Sequence, residues 1–163
     1  MPSSKRSSKT ETGAEGYEFV LYWDASAVLS SLFRDNHSDE AVEWASRDGV
    51  HLLSSLAYAE TCAVIARLER ERLFPNVLIS SALETLASGP WRRLSLLPDW
   101  EVVGALAPKW PVRGADLWHL ATAVTLRREL PALGMLTFDN RMAVAAAGEG
   151  FEPPRANPSL RLT

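Results

Sequence analysis

Short apolar, β-rich runs, each followed by a stretch with helical spacing, constrain this chain most. A strand that hands over to a helix every time returns most readily to a parallel neighbour. Glu18 to Trp23 is the first such run and ends against an aspartate; His51 to Ser55, Trp91 to Leu97 and Gly134 to Phe138 are the next three. Helices are expected over Ser26 to Arg34, Ser38 to Asp48, Leu56 to about Leu73, Val77 to Ser88, Trp100 to Leu106, Ala115 to Leu130 and Asn140 to Ala147. Pro75 and the Gly89-Pro90 pair stop two of them, and Ala107 to Arg113 reads as a proline-broken loop. A brief fifth strand is expected near Phe151. The alternation predicts an α/β fold: a mainly parallel sheet of four to five strands with helices on both faces, a three-layer sandwich whose ligands meet the carboxyl ends of the strands.

The 163 residues suit one domain with a core of its own. Residues 1–17, rich in Ser and Thr with little to bury, are expected to be a disordered leader. Residues 18–152 form the expected domain, and the proline-dense 153–163 read as a C-terminal tail. A net charge of −3 advertises no general attraction to nucleic acid or anionic membranes, so RNA contacts would have to be local. The longest early apolar run, Phe19 to Trp23, is far short of a membrane span and follows no signal-type pattern. The lone Cys62 excludes an intramolecular disulfide and a cysteine zinc cluster and suits a reducing compartment, which makes the cytoplasm the expected location. His37, His51 and His119 stand too far apart in sequence for a histidine zinc motif.

The chemistry is carried by carboxylates. Asp24 follows Trp23 and Asp139 follows Phe138, so two expected strands each end on an acid at the edge where an α/β site should lie. Helix capping alone would account for either, or for Asp116 near the next helix start. Glu60 has Leu56, Ala63 and Val64 at i−4, i+3 and i+4, which puts a carboxylate on an apolar stripe, and Asp116 repeats the pattern with Leu120 and Ala123. An arginine partner in a structural ion pair is the alternative for each. Four converging acids repel one another unless a cation joins them. Oxygen ligands favour Mg²⁺ or Mn²⁺, which support phosphodiester hydrolysis by polarising the phosphate and activating a water.

These residues resemble the PIN-domain nuclease family, and within it the VapC-type toxins of bacterial toxin–antitoxin pairs, over about residues 19–152. The matching pieces are Leu21-Tyr22-Trp23-Asp24-Ala25-Ser26, Ser54-Ser55-Leu56-Ala57-Tyr58-Ala59-Glu60, Ala115-Asp116-Leu117-Trp118-His119-Leu120-Ala121 and Leu136-Thr137-Phe138-Asp139, in family order. The resemblance implies a parallel sheet, an acidic cluster holding Mg²⁺ or Mn²⁺, endoribonuclease activity, a cognate antitoxin and frequent homodimers. By position, Asp24 and Asp116 would be the principal metal ligands, Glu60 a further ligand or water-orienting group, Asp139 the fourth acid, and Ser26 a hydrogen-bonding neighbour or substrate contact. The long leader and the tryptophan-rich surroundings of the motifs depart from the family pattern.

Among other residues, Lys109, Trp110 and Arg113 before Asp116, and Arg141 after Asp139, are candidates for holding RNA bases and phosphates; core packing and solvated charge are their alternatives. His119 reads as a satisfied structural histidine, Cys62 as a buried inert thiol, and Arg67 to Arg72 as a solvated helix end. The functional expectation is an endoribonuclease that leaves a 5′-phosphate and a 3′-hydroxyl. A catalytically silent PIN-like binding module is the alternative. A phosphotransfer enzyme with an aspartyl nucleophile is disfavoured by Ser at position 26, and neither GxxxxGK nor GxGxxG is present.

Overall fold

A computed structural model describes Tyr17 and residues 19–152. The expected leader, Tyr17 apart, and the expected tail lie outside the described residues. Four strands, β1 (Val20–Trp23), β2 (Val50–Ser54), β3 (Trp91–Leu94) and β4 (Leu133–Leu136), form one sheet in the order β3-β2-β1-β4, and every pairing is parallel. Val20 to Trp23 stand opposite Val50 to Leu53 on one side and Leu133 to Leu136 on the other. β1, β2 and β4 therefore end along the same edge.

Between the strands run α1 (Ala25–Leu32), α2 (Ser38–Ser46), α3 (Ser55–Arg70), α4 (Asn76–Ser88), α5 (Trp100–Leu106), α6 (Gly114–Arg127) and α7 (Asn140–Gly148). Strand side chains alternate between two cores. Leu21, Trp23, Leu53 and Leu136 face α1 to α4, with Ala27, Trp44, Ile65 and Ile79. Tyr22, Leu52, Leu133 and Met135 face α5 to α7, with Val102, Leu120, Met142 and Ala146. The three-layer α/β sandwich is thus as expected. Burying each leucine contributes about 1.5–3 kcal/mol. Trp23 and His51 add a polar tie inside the first core: the indole N–H donates to His51 Nδ1 at 3.1 Å, so His51 presents Nε2–H to the Arg47 carbonyl. Among the described residues no helix is long and apolar enough to cross a membrane.

Two expectations need correction. No fifth strand forms at Phe151; its ring is buried in the α5–α7 core beneath the Arg127 guanidinium, 4.1 Å from the ring centroid. β4 ends at Leu136 rather than Phe138, because Thr137 and the Phe138 N–H turn to hydrogen-bond Asp24 and Ser26 instead of extending the ladder. Tyr17 accepts a hydrogen bond from Arg92 of β3 at 2.6 Å.

Segment 109–113 packs along α7 and is anchored at its far end. Glu149, just past α7, accepts from Trp110 Nε1 at 2.7 Å and pairs with Lys109. Gly148 leaves room for the indole: a Cβ there would stand 2.0 Å from Trp110 Cη2. Gly148→Ala is therefore expected to destabilise the fold by about 1–3 kcal/mol, the cost of overpacking, as a fall in the urea midpoint with unchanged slope.

Candidate active site

Asp24 occupies the N-cap of α1 at the end of the central strand, and its carboxylate is fully engaged. Oδ1 accepts from Ala27 N at 2.9 Å and Ser26 Oγ at 2.7 Å, while Oδ2 accepts from Thr137 Oγ1. The residue is only 5% exposed. Burial pushes its carboxyl above the ordinary value, against the hydrogen bonds from Ser26, Thr137 and Ala27 and the influence of His119, which all pull it down. Capping is therefore real for Asp24, but it does not account for a buried carboxylate whose partners among the described residues are neutral donors.

Asp139 also caps a helix: Oδ1 accepts from Arg141 N and Met142 N of α7, both at 3.0 Å. Its N–H reaches Thr137 Oγ1 at 3.2 Å, so β4's terminus ties Asp139 to Asp24 through one hydroxyl. Asp116 does not cap. Arg113 holds the N-cap position of α6 and Asp116 lies inside the first turn, where acids suit the helix dipole. The Arg113 guanidinium spans two acids, with Nε 3.3 Å from Asp116 Oδ2 and Nη2 3.6 Å from Asp139 Oδ2. The arginine pair expected as an alternative thus exists at Asp116.

Glu60 is not on the buried stripe of its helix. That stripe is Ala57, Thr61 and Ile65, one position round, and Ala63 is exposed. Glu60 sits on its flank, with a side chain 33% exposed, and its partner is a histidine rather than an arginine: Glu60 Oε2 lies 2.7 Å from His119 Nε2. His119 is buried, as a structural histidine should be, and its Nδ1 meets the Tyr22 hydroxyl at 2.8 Å. That hydroxyl, also 3.0 Å from Ser54 Oγ, is pushed far above its ordinary value, first by burial and further by the charges of Asp24 and Glu60.

The strand ends and the start of α6 thus gather Asp24, Ser26, Asp116, Asp139 and Arg113, with Glu60 entering from α3 through His119. Lys109 and Trp110 are not brought there. They bind Glu149 at the other end of α7, about 15 Å from Asp139 at the helical rise of 1.5 Å per residue. Exposed Arg141 lines a shallow groove with Arg113, Phe138, Asp139 and Asn140. Sequence reasoning did not select Thr137, Tyr22 or Ser54 as site residues. The signal for Tyr22 was its alternation with Leu21 and Trp23, which turns it toward the α6 layer.

The donor set is all oxygen, which suits a hard divalent ion, and buried Asp24 is a carboxylate that such an ion would compensate. As the side chains lie, no three Asp, Glu, His or Cys residues among those described converge closely enough to hold one ion. Arg113 and the hydroxyls of Ser26 and Thr137 hold the carboxylates instead. The donor chemistry fits; binding would require the carboxylates to turn toward one another and Arg113 to leave the two aspartates.

A family model described as PIN domain matches residues 21–148. No curated protein sequence matches the chain. Solved structures with similar folds include a Mycobacterium tuberculosis protein described as VapC20, a sarcin–ricin loop cleaving toxin: TM-score 0.51, 17% identity, 77% of this chain and 94% of that one covered. PAE2754 from Pyrobaculum aerophilum aligns with TM-score 0.54 and 17% identity over 80% of this chain and 87% of its own. VapBC-1 from nontypeable Haemophilus influenzae aligns with TM-score 0.51 and 16% identity over 80% and 94%. With the match covering the sheet, the helices and all four acids, this chain belongs to the PIN domain family.

Proposed function

We propose that this protein is a divalent-metal-dependent endoribonuclease, the toxin of a toxin–antitoxin pair, acting in the cytoplasm. The observation that carries this reading is Asp24: a buried carboxylate at the end of the central strand of a parallel sheet, held by neutral hydrogen-bond donors and tied to Asp139 through the Thr137 hydroxyl. Membership of the PIN domain family and fold similarity to VapC20 and VapBC-1 support the nuclease and the antitoxin partner.

Asp24 and Asp116 would be the principal holders of Mg²⁺ or Mn²⁺, with Asp139 and Glu60 completing the acidic set. The bound ion would polarise the scissile phosphate and acidify a water. The chain's own residues do the rest. Ser26 and Thr137 orient the Asp24 carboxylate through both of its oxygens. Helix α7 fixes Asp139 Oδ1 through two backbone N–H groups and leaves Oδ2 to Arg113, the partner a divalent ion would have to replace. Arg113, with a side chain 75% exposed, bridges Asp116 and Asp139, offsetting one of their two negative charges, and would be within reach of an RNA phosphate; Arg141 flanks the same groove. In-line attack by water leaves a 5′-phosphate and a 3′-hydroxyl. An antitoxin segment covering this edge would block it, and pairing of two copies is the proposed assembly. The silent binding module is favoured by one observation, the Arg113 bridge, which satisfies two acids without metal.

Purified protein incubated with a mixed RNA pool is expected to cut with Mg²⁺ or Mn²⁺, to stop with chelator, and to lose about a hundredfold or more of its rate in Asp116→Asn. Cyclic phosphate ends would overturn the mechanism. Equal cutting by Asp116→Asn would remove this site from it, and no cutting of any RNA type by the folded, antitoxin-free parent would overturn the nuclease reading in favour of the binding module.

Asp24→Asn keeps the cap while removing the buried charge. It is expected to raise the stability of the metal-free protein at neutral pH by about 1 kcal/mol, a few degrees in Tm. Because burial raises the Asp24 pKa in the folded state, its cost to folding is absent below the ordinary carboxylate value and grows as pH rises toward the raised one. The gain in the variant should therefore vanish in acid. Mn²⁺ should raise the Tm of the parent more than that of the variant, which paired thermal melts across pH would show.

A further inference from the structure

His119 lies three residues after Asp116 on α6, yet it serves a different acid. Its ring is 2% exposed and both nitrogens are occupied, Nε2 by Glu60 Oε2 at 2.7 Å and Nδ1 by the Tyr22 hydroxyl at 2.8 Å. The chain continues inward: Tyr22, wholly buried in β1, lies 3.0 Å from Ser54 Oγ, which caps α3 by accepting from Ala57 N at 3.1 Å. One row of polar groups therefore runs from the start of α3, across the central strand, through α6 and back to Glu60 farther along α3.

The proton positions follow from the chemistry of the partners. A ring nitrogen facing an ionised carboxylate must carry a hydrogen, because a bare lone pair there would repel it. Nε2 is thus the donor to Glu60, and Nδ1 is left to Tyr22. Turning the ring over would point carbon at both partners and break both bonds in a buried site, a loss of about 1–3 kcal/mol for each polar group left unsatisfied. Tyr22 on one side and Glu60 on the other therefore lock the ring.

We infer that His119 is a positioning residue for the acidic site: held at Nδ1 by Tyr22, it donates Nε2–H to Glu60 Oε2 and fixes the direction of that carboxylate, leaving Oε1 as the oxygen available to a divalent ion. Without the histidine, Glu60 is a long, one-third exposed side chain on the flank of its helix, with several rotamers to choose from. The hydrogen bond selects one of them before an ion or substrate arrives. Groups that orient a ligand from behind in this way change metal affinity by about 10–100-fold when removed. The inference rests on the reading of Glu60 as part of an ion site, and its first test does not need that reading.

That test is long-range ¹H–¹⁵N spectroscopy of the imidazoles in the metal-free, full-length protein, with His119→Gln identifying the His119 signals. A protonated Nε2 whose signals move in both Tyr22→Phe and Glu60→Gln is expected. A ring protonated at Nδ1 alone, or signals indifferent to both substitutions, would overturn the inference. The second test is calorimetric titration with Mn²⁺ in the absence of RNA, on variants shown by thermal melting to be folded. His119→Leu is expected to bind about 10–100-fold more weakly. His119→Gln, whose amide can place an N–H near the position of Nε2, is expected to recover most of that loss, a rescue that a merely space-filling role would not produce. Where His119→Leu does not fold, Tyr22→Phe keeps the ring and the packing and is expected to weaken binding by several-fold. Parental affinity in folded His119→Leu, or in Tyr22→Phe where the leucine variant does not fold, overturns the positioning role. A parent that binds no Mn²⁺ overturns the metal reading of the site and with it the functional half of this inference, whatever the spectra show.

Discussion

The central strand is hydrogen-bonded on both sides in parallel, and where it stops decides where everything else can be. β1 is flanked by β2 and β4 in register from Val20 to Trp23, so its last residue, and those of its neighbours, lie along one edge. Leu21, Tyr22 and Trp23 are fully buried and hold the strand from both faces. The next backbone N–H, that of Asp24, still bonds to the Leu136 carbonyl, which carries the strand's rigidity into the first residue of the site. A carboxylate placed this way has little freedom to escape burial, and the surroundings must accommodate it.

They do so differently for each acid. Asp24 is surrounded by hydroxyls and an N–H, Asp139 is held by a helix start, Asp116 leans on an arginine, and Glu60 is fixed by a buried imidazole. The four solutions differ in how easily they yield. The Arg113 bridge is exposed and its charge attraction is screened by water, so it is the weakest of the four. The His119 link is shielded and backed by Tyr22, so it is among the most persistent. The site thus combines carboxylates held by neutral donors and a buried histidine with others held by one exposed, exchangeable arginine.

Much of this was legible from residue order because it is local. Apolar runs of strand length, proline and glycine stops, and an aspartate directly after a strand depend on neighbours in sequence, and the elements formed close to where those signals stood. Glu60 was harder. Three apolar neighbours at helical spacing are consistent with a stripe, but the face that α3 buries is set by packing against the sheet, which selects Ala57, Thr61 and Ile65. Lys109 and Trp110 are near Asp116 in sequence and bound to Glu149 in space, because the loop runs along α7 rather than toward the acids. Thr137 read as a strand residue until the geometry gave its hydroxyl a carboxylate to bond.

By itself the sequence determined the alternation of strands and helices, hence a parallel sheet, and the placing of Asp24 and Asp139 just past the ends of two of its strands. These follow from periodicity and from the short reach of capping and chain-stopping residues. The tertiary structure alone decided which partner each acid has, since those bonds join residues far apart in the chain: Asp24 with Thr137, Glu60 with His119, and Tyr22 with both Ser54 and His119. Such contacts depend on the relative placement of whole elements, to within the 3 Å or so that a hydrogen bond tolerates, and one residue's neighbours in sequence carry no record of that distance.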